Sequence, residues 1–410
     1  CPFTFIMRLL LKIIVLAFIA LNVNFYCFLY FRNSPRKGSV SKGRPSQVLL
    51  WMQEKAGSEI NMSNLGRHLF LEESLVTVDK SQFFRISVWQ FGSRLERRLI
   101  KRFGSKRIDP FQFCSVQNCY LTYDNSSVIG ADAVIVHLHL TKGPKTLPQE
   151  RTPTQRWIFL TDESPQNTFM ATRKFKMKDY NGVFNWSMTY RSDSDIPIPY
   201  GRTLPLIRPL DNPLSYNKSK LVAVMGSNCG GTNNRWSYVA NLSHYINIDV
   251  YGKCGPLKCN GHYNLDCPAL NDYKFYLAFE NGNCNEYITE KMWWNAYKHG
   301  AVPVVMGGPR KHYEVLCPPH SFIHVNDFDS PQQLAEYLLY LEANVEEYRK
   351  YFEWTKYFKI VNEHGYFGSD IFHYCRVCEG LNFNDRNPKV YWHLDSFWNV
   401  SSDCYGSWQG

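Results

Sequence analysis

Short apolar runs, separated by polar turns and amphipathic stretches, follow one another from about residue 81 to near the end of the chain. In the first part, runs rich in β-branched or aromatic residues predict strands, and the continuously apolar ones predict buried strands. These runs are FRISVWQ (84–90), ADAVIVHLHL (131–140), QRWIFLTDESP (155–165) and GVFNWSMTY (182–190).

A second series begins after a proline-containing joint, IRPLDNPLS (207–215). Its predicted strands lie at 220–228, 248–252, 272–281 and 301–308. Its predicted helices lie at 234–246, 289–299 and 330–354, with Thr289 as an N-cap and Gly300 just beyond a helix end. Two series of alternating strands and helices predict an α/β fold with two Rossmann-like domains and a cleft between them.

The first 80 residues follow a different pattern. Residues 13–31 are an almost unbroken apolar run of 19 residues, which suits one membrane span. No small-x-small cleavage site follows cleanly, so we expect a transmembrane signal anchor behind a cytoplasmic tail of residues 1–12. Residues 32–80 are polar with little periodicity and predict a stem, with a poorly packed N-terminal subdomain as the alternative.

Charge and glycosylation sequons indicate the compartment. The net charge is +10, but the basic residues are scattered, which fits an anionic substrate better than nucleic acid. Six N-x-[ST] sequons follow the apolar run, and a luminal location for this part of the chain is therefore favoured. They begin at Asn61, Asn125, Asn185, Asn217, Asn241 and Asn399. The sequence thus predicts a type II membrane protein of the secretory pathway.

Eleven of the 13 cysteines follow the apolar run. In an oxidising lumen most should pair, and because eleven is odd, at least one should stay free or pair between chains. Cys375-x-x-Cys378 is half a zinc site without a second half at zinc-finger spacing, so we expect no metal there. One alternative is a local bridge between these two cysteines. The other is a bridge from each of them to Cys114 and Cys119, which would close long loops.

The stretch FENGNCNEYITEKMWWNA (279–296) places a polar turn between a predicted strand and a predicted helix. In a βαβ unit, ligands bind beyond the carboxyl ends of the strands, and a helix N-terminus attracts anions. Lys291 adds positive charge there, whereas Glu290 would accept hydrogen bonds from sugar hydroxyls. Phosphate and polyol together indicate a nucleotide. The alternative is an ordinary capped helix with Glu290 and Lys291 in solvent.

Three further turns carry candidate chemistry. GSNCGGTNNRW (226–236) is a glycine-rich turn at a strand end, where Arg235 could bind a phosphate, and the chain contains no GxGxxG or Walker motif. TDESP (161–165) ends a strand in the other half, where Asp162 and Glu163 offer a general base or merely a loop acid. RSDSDIPIPYG (191–201) holds Asp193 and Asp195, which could bind a metal but which we interpret as turn residues.

These stretches resemble the α1,3-fucosyltransferase family. YKFYLAFENGNCNEYITEKMWWNAYKHGAVPVVMGG (273–308) is similar to the family's long signature. FNWSMTYRSDSDIPIPYG (184–201), FLTDESP (159–165) and ADAVIVH (131–137) resemble further blocks. The chain departs from the family pattern at Gly282, in the segment from Cys259 to Cys267, and in HLHL (137–140), a region associated with acceptor choice.

The resemblance implies a GT-B fold of two facing Rossmann-like domains behind the anchor and stem. We expect an acceptor-side domain at 81–210, a GDP-fucose domain at 211–365, and a C-terminal segment at 366–410 that crosses back to the first domain. The family ties its N-terminal domain to its C-terminal end through cysteines. The resemblance therefore favours bridges that join Cys114 and Cys119 to Cys375 and Cys378.

The resemblance also implies an inverting Golgi enzyme that moves L-fucose from GDP-β-L-fucose to O3 of a GlcNAc, with its catalytic part in the lumen. By position in the motifs, Glu163 is the expected base, and Arg235 and Lys291 are the expected diphosphate contacts. Further candidate substrate contacts are Asn228, Lys274, Asn281, Tyr287 and Glu290. No cofactor is expected to be required, although a divalent metal could stimulate activity.

Two acceptors remain open, the innermost GlcNAc of glycoprotein N-glycans and a GlcNAc in their antennae. Two other kinds of protein also remain open. One is a GT-B enzyme that uses another sugar nucleotide, and the other is a catalytically silent membrane protein that binds glycans. The intact Glu163, Arg235 and Lys291 argue against a silent protein.

Overall fold

Most of the apolar runs form strands, and these strands assemble into two parallel sheets. The computed structural model describes residues 45–73, 82–90, 109–169, 174–210, 218–260 and 264–408. The predicted tail, the predicted anchor at 13–31 and the sequon at Asn217 lie outside these residues. In the described part of the chain, no helix is long and apolar enough to cross a membrane.

The first sheet has six strands in the order β2-β1-β3-β4-β5-β6, all parallel. The strands are β1 (Phe84–Val88), β2 (Cys119–Thr122), β3 (Ala133–His137), β4 (Arg156–Leu160), β5 (Trp186–Thr189) and β6 (Ile196–Pro197). Every residue of β3, β4 and β5 is buried, which explains the continuous apolar runs at 133–136 and 157–160.

The second sheet has five parallel strands in the order β12-β11-β10-β8-β9. They are β8 (Lys220–Gly226), β9 (Ile248–Gly252), β10 (Tyr273–Phe279), β11 (Val302–Met306) and β12 (Ile323–His324). The remaining strands, β7 (Gly201–Pro205) and β13 (Phe358–Asn362), form an antiparallel pair. The prediction of an α/β fold with parallel sheets is confirmed.

The helices connect and flank these sheets. In chain order they are α1 (Ser46–Ala56), α2 (Asn64–Leu71), α3 (Arg235–Leu242), α4 (Lys291–Lys298), α5 (Arg310–Leu316), α6 (Pro331–Ala343), α7 (Val345–Lys350), α8 (His373–Phe383), α9 (Leu394–Phe397) and α10 (Val400–Asp403). The single helix predicted at 330–354 is instead split, because Asn344 has non-helical backbone angles (φ −116°, ψ 83°). Gly300 follows α4 with φ +65°, as expected of a residue just beyond a helix end.

The stem prediction is wrong for the described residues 45–73. Helices α1 and α2 bury Val48, Trp51 and Leu65 in the same core as strand β4. Lys55 is also buried, with its Nζ 4.3 Å from the centroid of the Trp51 ring, and this burial lowers the pKa of Lys55 to about 7. The two helices are short, with 11 and 8 residues, so each gives only two or three turns of apolar periodicity.

The segment after residue 366 first returns to the first sheet and then leaves it. In α8, Tyr374, Val377 and Leu381 pack in one cluster with residues of β1, β3 and β4. Disulfides join Cys114 to Cys375 and Cys119 to Cys378. Beyond α10 the chain reaches the second half of the molecule, the part built around the second sheet, where Cys404 is bonded to Cys284. The segment therefore contacts both halves rather than the first alone.

Two further disulfides lie within the second half, Cys229–Cys254 and Cys259–Cys267. Among the described residues Cys317 is the free cysteine, and its side chain is fully buried. One free thiol agrees with the odd number of cysteines after the apolar run.

Candidate functional site

A cavity of about 340 Å³ lies at the carboxyl ends of β8, β9 and β10. This is the edge of a parallel sheet where ligands bind in α/β proteins. Residues at or just beyond the end of each of the three strands line it: Met225, Gly226, Ser227 and Asn228; Gly252 and Lys253; and Asn281. Helix α4 and two neighbouring segments complete the wall with Glu290, Lys291, Asn295, Lys258, Cys259, Leu265, Cys267 and Phe367.

The turns after β8 and β9 pack backbone against backbone. A Cβ atom on Gly252 would lie 2.5 Å from the carbonyl oxygen of Gly226, and Gly252 has φ +91°. Only glycine meets both requirements without strain. The amide of Cys254 also donates a hydrogen bond to the Gly226 carbonyl (3.1 Å). The two turns thus form one joint wall of the cavity.

Arg235 lies at the start of α3 and is 5% exposed. Its guanidinium donates hydrogen bonds to the backbone carbonyls of Asn228 (2.7 Å), Gly230 (3.1 Å) and Phe279 (2.9 Å). Burial is the main cause that lowers the pKa of this guanidinium, although Glu280 opposes it. Arg235 therefore lines the cavity as predicted, but it also holds the β8 turn in place, which the sequence did not reveal.

Lys291, at the start of α4, is held by three oxygen atoms. Its Nζ donates to Glu280 Oε2 (2.9 Å), Thr289 Oγ1 (2.7 Å) and Glu290 Oε1 (3.4 Å). Burial alone would lower the pKa of Lys291, but the Glu280 and Glu290 carboxylates outweigh it and raise the pKa above the usual lysine value. Lys291 is thus a fixed cation at the cavity wall.

Helix α4 is wound as a π-helix and begins at Lys291, two residues later than predicted. Thr289 does not cap it in the predicted way. Its backbone N–H donates to the buried carboxylate of Glu280 (2.8 Å), which also accepts from the Thr289 hydroxyl. Short π-helical segments often occur at functional sites, and here one presents Lys291 and Asn295 to the same cavity.

Glu163 follows β4 in the first half and approaches the second half. The Tyr287 hydroxyl donates a hydrogen bond to Glu163 Oε2 (3.2 Å). Tyr287 is buried, and burial followed by the charge of Glu163 raises the pKa of its hydroxyl well above the usual value. Tyr287 thus stays protonated and connects the Glu163 carboxylate to the 281–288 turn rather than lining the cavity itself.

Two more contacts join the halves near this point. The Gln166 side chain lies within hydrogen-bond distance of Thr232 Oγ1, and a Cβ atom on Gly282 would come within 2.3 Å of Gln166 Oε1. The backbone N–H of Ser192 donates to the buried Glu286 carboxylate (2.8 Å), and burial raises the pKa of Glu286 to about 7. The absence of a side chain at Gly282 therefore accommodates the Gln166 contact.

The structure does not bring Lys274 to the cavity. Lys274 is the second residue of β10, whereas the cavity lies beyond the last residues of that strand. Its Nζ pairs with Glu342 Oε1 (3.2 Å) on α6. The prediction of Lys274 as a substrate contact is corrected for this reason, while Asn228, Arg235, Asn281, Glu290 and Lys291 do line the cavity.

The carboxylates of Asp193 and Asp195 are occupied by protein donors. Asp193 pairs with Arg191, and Asp195 accepts from the backbone N–H of Ser187 (2.9 Å) and from Lys389 Nζ (2.6 Å). In the part of the chain that the structure describes, no group of three or more His, Cys, Asp or Glu side chains could hold a metal ion. The turn interpretation of the Asp-Ser-Asp triplet accounts for these contacts.

One sequon is incompatible with glycosylation of the folded chain. Asn185 is 4% exposed, and its amide group donates to the Lys389 carbonyl and accepts from the backbone N–H of Trp157. Asn61, Asn125 and Asn241 are exposed, and Asn399 is partly exposed with its side chain capping α10. The prediction for Asn185 is therefore wrong.

Lys253, Lys258 and Phe367 line the cavity but were not among the predicted site residues. The sequence could have indicated Lys253 and Lys258 as residues of the site. The strand IDVYG was correctly predicted, and the residues that follow it in a parallel sheet should face the same edge as those that follow its neighbours. Phe367 comes from a segment more than 60 residues beyond α4, and no local pattern reveals its position.

Comparison with known proteins gives a consistent result. A family model described as Glycosyltransferase family 10 (fucosyltransferase) C-term matches residues 215–398, and one described as Fucosyltransferase, N-terminal matches residues 43–201. The chain is 36% identical over 300 residues to Glycoprotein 3-alpha-L-fucosyltransferase A of Drosophila melanogaster, covering 71% of this chain and 56% of that protein. It is 37% identical over 284 residues to Alpha-(1,3)-fucosyltransferase 7 of Mus musculus, covering 68% of each.

Among solved structures, a crystal structure of alpha1,3-fucosyltransferase with GDP-fucose aligns with a TM-score of 0.47 and 15% sequence identity. That alignment covers 80% of this chain and 98% of the other. The chain thus spans a little over half the length of the Drosophila relative and about two thirds of the mouse relative.

Proposed function

This chain belongs to glycosyltransferase family 10, and we propose that it transfers L-fucose from GDP-β-L-fucose to O3 of a GlcNAc in glycoprotein glycans. The transfer inverts the anomeric carbon and yields an α1,3 linkage. The Drosophila and mouse relatives are both named as 3-fucosyltransferases, which supports this linkage. The Drosophila name also supports a glycoprotein acceptor.

The observation that carries the proposal is the arrangement of charges around the cavity. Arg235 and Lys291 line it, Glu290 lies beside them, and the wall after β8 and β9 is built from closely packed backbone. Such a site suits a ligand with both an anionic diphosphate and sugar hydroxyls. A sugar nucleotide has both.

In the proposed reaction Glu163 removes the proton from the acceptor hydroxyl as it attacks the anomeric carbon. A general base must be ionised and oriented, and the hydrogen bond from Tyr287 to Glu163 Oε2 serves the second need. The carboxylate of Glu163 would then take the proton of the acceptor hydroxyl. Because Tyr287 belongs to the turn before α4, this contact also ties the base to the donor side of the molecule.

Negative charge grows on the departing diphosphate while the sugar acquires oxocarbenium character. Arg235 and Lys291 are fixed before the reaction by their contacts with carbonyls and carboxylates, so they need not reorganise when this charge appears. This preorganised positive charge is the proposed source of leaving-group stabilisation. We expect the donor to bind without a divalent metal and Asp193 and Asp195 to keep their structural contacts.

We further propose that the two parallel sheets correspond to the two facing domains of a GT-B enzyme. The first sheet would face the acceptor and the second would bind GDP-fucose. The apolar run at 13–31 would anchor the chain in the Golgi membrane as a single-pass type II protein, with the described residues in the lumen. The sequons at Asn61, Asn125, Asn217, Asn241 and Asn399 are consistent with that location.

A donor screen with the full chain tests this function. The chain is incubated with GDP-fucose, GDP-mannose, UDP-GlcNAc or UDP-galactose and a glycopeptide bearing a biantennary N-glycan, and the products are read by mass spectrometry. We expect a mass increase of one deoxyhexose with GDP-fucose alone. Transfer from another donor would favour a different GT-B enzyme, and no transfer from any donor would favour a silent glycan-binding protein.

The same product identifies the acceptor. Fragmentation that leaves the deoxyhexose on the innermost GlcNAc indicates that this GlcNAc is the acceptor. A deoxyhexose on an antennal fragment indicates that the acceptor is a GlcNAc in the antennae. Nuclear magnetic resonance of the product then reports whether the new bond is to O3 and whether its anomeric configuration is α.

A further inference from the structure

The charges closest to the cavity wall nearly cancel. Arg235 and Lys291 supply two positive charges, and the carboxylates of Glu280 and Glu290 supply two negative ones within contact distance of Lys291. A diphosphate diester such as a nucleotide sugar carries about two negative charges, and burying it without net positive charge is costly. The two predicted contacts therefore do not neutralise the ligand by themselves.

Two more cations line the same cavity, Lys253 and Lys258. They differ in what they already bind. Lys258 Nζ donates to the carbonyls of Gly252 and Gly255, at 2.9 Å each, and so braces its own loop. Among the described residues, Lys253 is the one lining cation for which no protein acceptor is found. Its ammonium is exposed and available to a ligand.

The position of Lys253 is fixed from both sides. It follows Gly252, whose packing against Gly226 leaves no freedom for a different backbone path. It precedes Cys254, which is bonded to Cys229 in the β8 turn with a Cα–Cα distance of 5.3 Å. Arg235 also holds the β8 turn, through hydrogen bonds to the carbonyls of Asn228 and Gly230. The backbone at Lys253 is therefore already ordered, so that binding has to fix only the rotamers of its side chain.

We propose that Lys253 is a donor-binding residue whose ammonium contacts the diphosphate of the sugar nucleotide. This inference rests on the proposed function, since it assumes that a sugar nucleotide occupies the cavity. Lys253 and Lys258 together add the positive charge that the balanced set of Arg235, Lys291, Glu280 and Glu290 lacks, and Lys253 is the one whose ammonium can move to the ligand. Lys258 acts differently, as a brace for the loop that presents Lys253.

The test measures GDP binding to the full chain by calorimetry for the wild type, Lys253→Gln and Lys253→Arg. A charge-assisted hydrogen bond to an exposed ammonium suggests about a tenfold loss of GDP affinity for Lys253→Gln. The arginine variant keeps the charge and should bind within about threefold of the wild type. Lys298→Gln, which removes an exposed lysine on α4 away from the cavity lining, is the matched control and should bind GDP unchanged.

A diphosphate contact has two further signatures. The Lys253→Gln loss should be absent or much smaller for guanosine, which has no phosphate. GDP affinity of this variant should also fall less steeply with added salt than that of the wild type, because one ion pair has been removed. In turnover assays the KM for GDP-fucose should rise while kcat stays within about threefold.

The outcomes separate the two levels of inference. If wild-type chain does not bind GDP, the proposed function fails. If the wild type binds GDP and Lys253→Gln binds it equally well, the function stands and the role of Lys253 is refuted. An equal loss for GDP and guanosine, or no rescue by Lys253→Arg, would also refute the diphosphate contact. A thermal melt of each variant confirms that all are folded.

Discussion

The two parallel sheets end in different ways at their carboxyl edges. In the first sheet, β4 leads to two acids. The buried Asp162 lies 3.7 Å from His137 Nε2, and Glu163 reaches across to Tyr287. In the second sheet, three neighbouring strands lead to glycine-rich turns that enclose a cavity lined by cations. A base needs one well-oriented group, whereas a diphosphate needs several donors and close backbone approach. The difference suggests that the first sheet supplies the chemistry and the second supplies binding.

The disulfides follow the same division. In the first half, Cys114–Cys375 and Cys119–Cys378 join residues 261 and 259 positions apart and fasten α8 to the sheet. In the second half, Cys229–Cys254 spans 25 positions and joins the residues next to the lining Asn228 and Lys253, whereas Cys259–Cys267 spans 8 positions within the cavity lining. Bridges over long separations constrain the unfolded chain most. The short ones instead fix the local geometry of the cavity.

The largest expected effect comes from removing the base. Glu163→Gln should lower kcat by about 100- to 10,000-fold, because a positioned general base contributes roughly that much. GDP affinity should stay within about twofold, because the substitution keeps the shape and is outside the cavity. Initial rates and GDP calorimetry measure the two quantities. Glu150→Gln, an exposed residue of the same half, is the control. Turnover within a few-fold of wild type would end the assignment of Glu163.

Removal of a long-range disulfide and removal of a local one should have different effects on stability and on GDP binding. Cys119→Ser with Cys378→Ser should lower the free energy of unfolding by about 2–5 kcal/mol while leaving GDP affinity of the folded protein unchanged. Cys229→Ser with Cys254→Ser should cost less stability but weaken GDP binding, because the turns after β8 and β9 lose their link. Denaturant melts and calorimetry at 20 °C report both. Equal effects of the two pairs on GDP affinity would contradict the division.

Arg235→Ala should weaken GDP binding by about 10- to 150-fold, the equivalent of one charge-assisted interaction of roughly 1.5–3 kcal/mol. It should also lower the melting temperature, because the buried carbonyls of Asn228, Gly230 and Phe279 lose a donor. Lys291→Ala should act in the same direction, because Glu280 then stays buried without its cation. Unchanged GDP affinity in both variants would show that the donor binds elsewhere.

The smallest expected effect is that of metal removal. Activity in EDTA should remain within about threefold of the untreated enzyme, because basic residues at the cavity neutralise the diphosphate in place of a metal. Asp193 and Asp195 are already engaged by Arg191, Ser187 and Lys389. If EDTA abolishes activity and manganese restores it, this interpretation is reversed. A metal ion would then be needed to neutralise the diphosphate at the cavity.

The sequence predicted the sheets better than the connections. The long apolar runs at 220–228 and 272–281 became β8 and β10 almost as predicted, because a buried parallel strand needs continuous apolar residues. Strands β2, β7 and β13 were not predicted, because each has only one or two buried residues and therefore lacks the continuous apolar run of a central strand. Whether a short run pairs with another depends on neighbours far along the chain.

The site was predictable where it follows a recognised strand. Arg235, Asn281 and Lys291 stand directly after strands or at helix starts, and they line the cavity. Lys274 was misplaced because motif membership says nothing about which end of a strand a residue occupies. Lys253 was missed although its strand was recognised. Phe367 reaches the cavity through tertiary packing that no local pattern encodes.

Hydrogen–deuterium exchange of the full chain with and without GDP tests most directly whether the second sheet binds the donor. We expect GDP to slow amide exchange in the turns at 226–236, 252–259 and 280–291, because these enclose the cavity. Exchange in the first sheet, at 133–137 and 156–160, should change little. Protection confined to the first sheet, or absent from all three turns under saturating GDP, would contradict the assignment of donor binding to the second sheet.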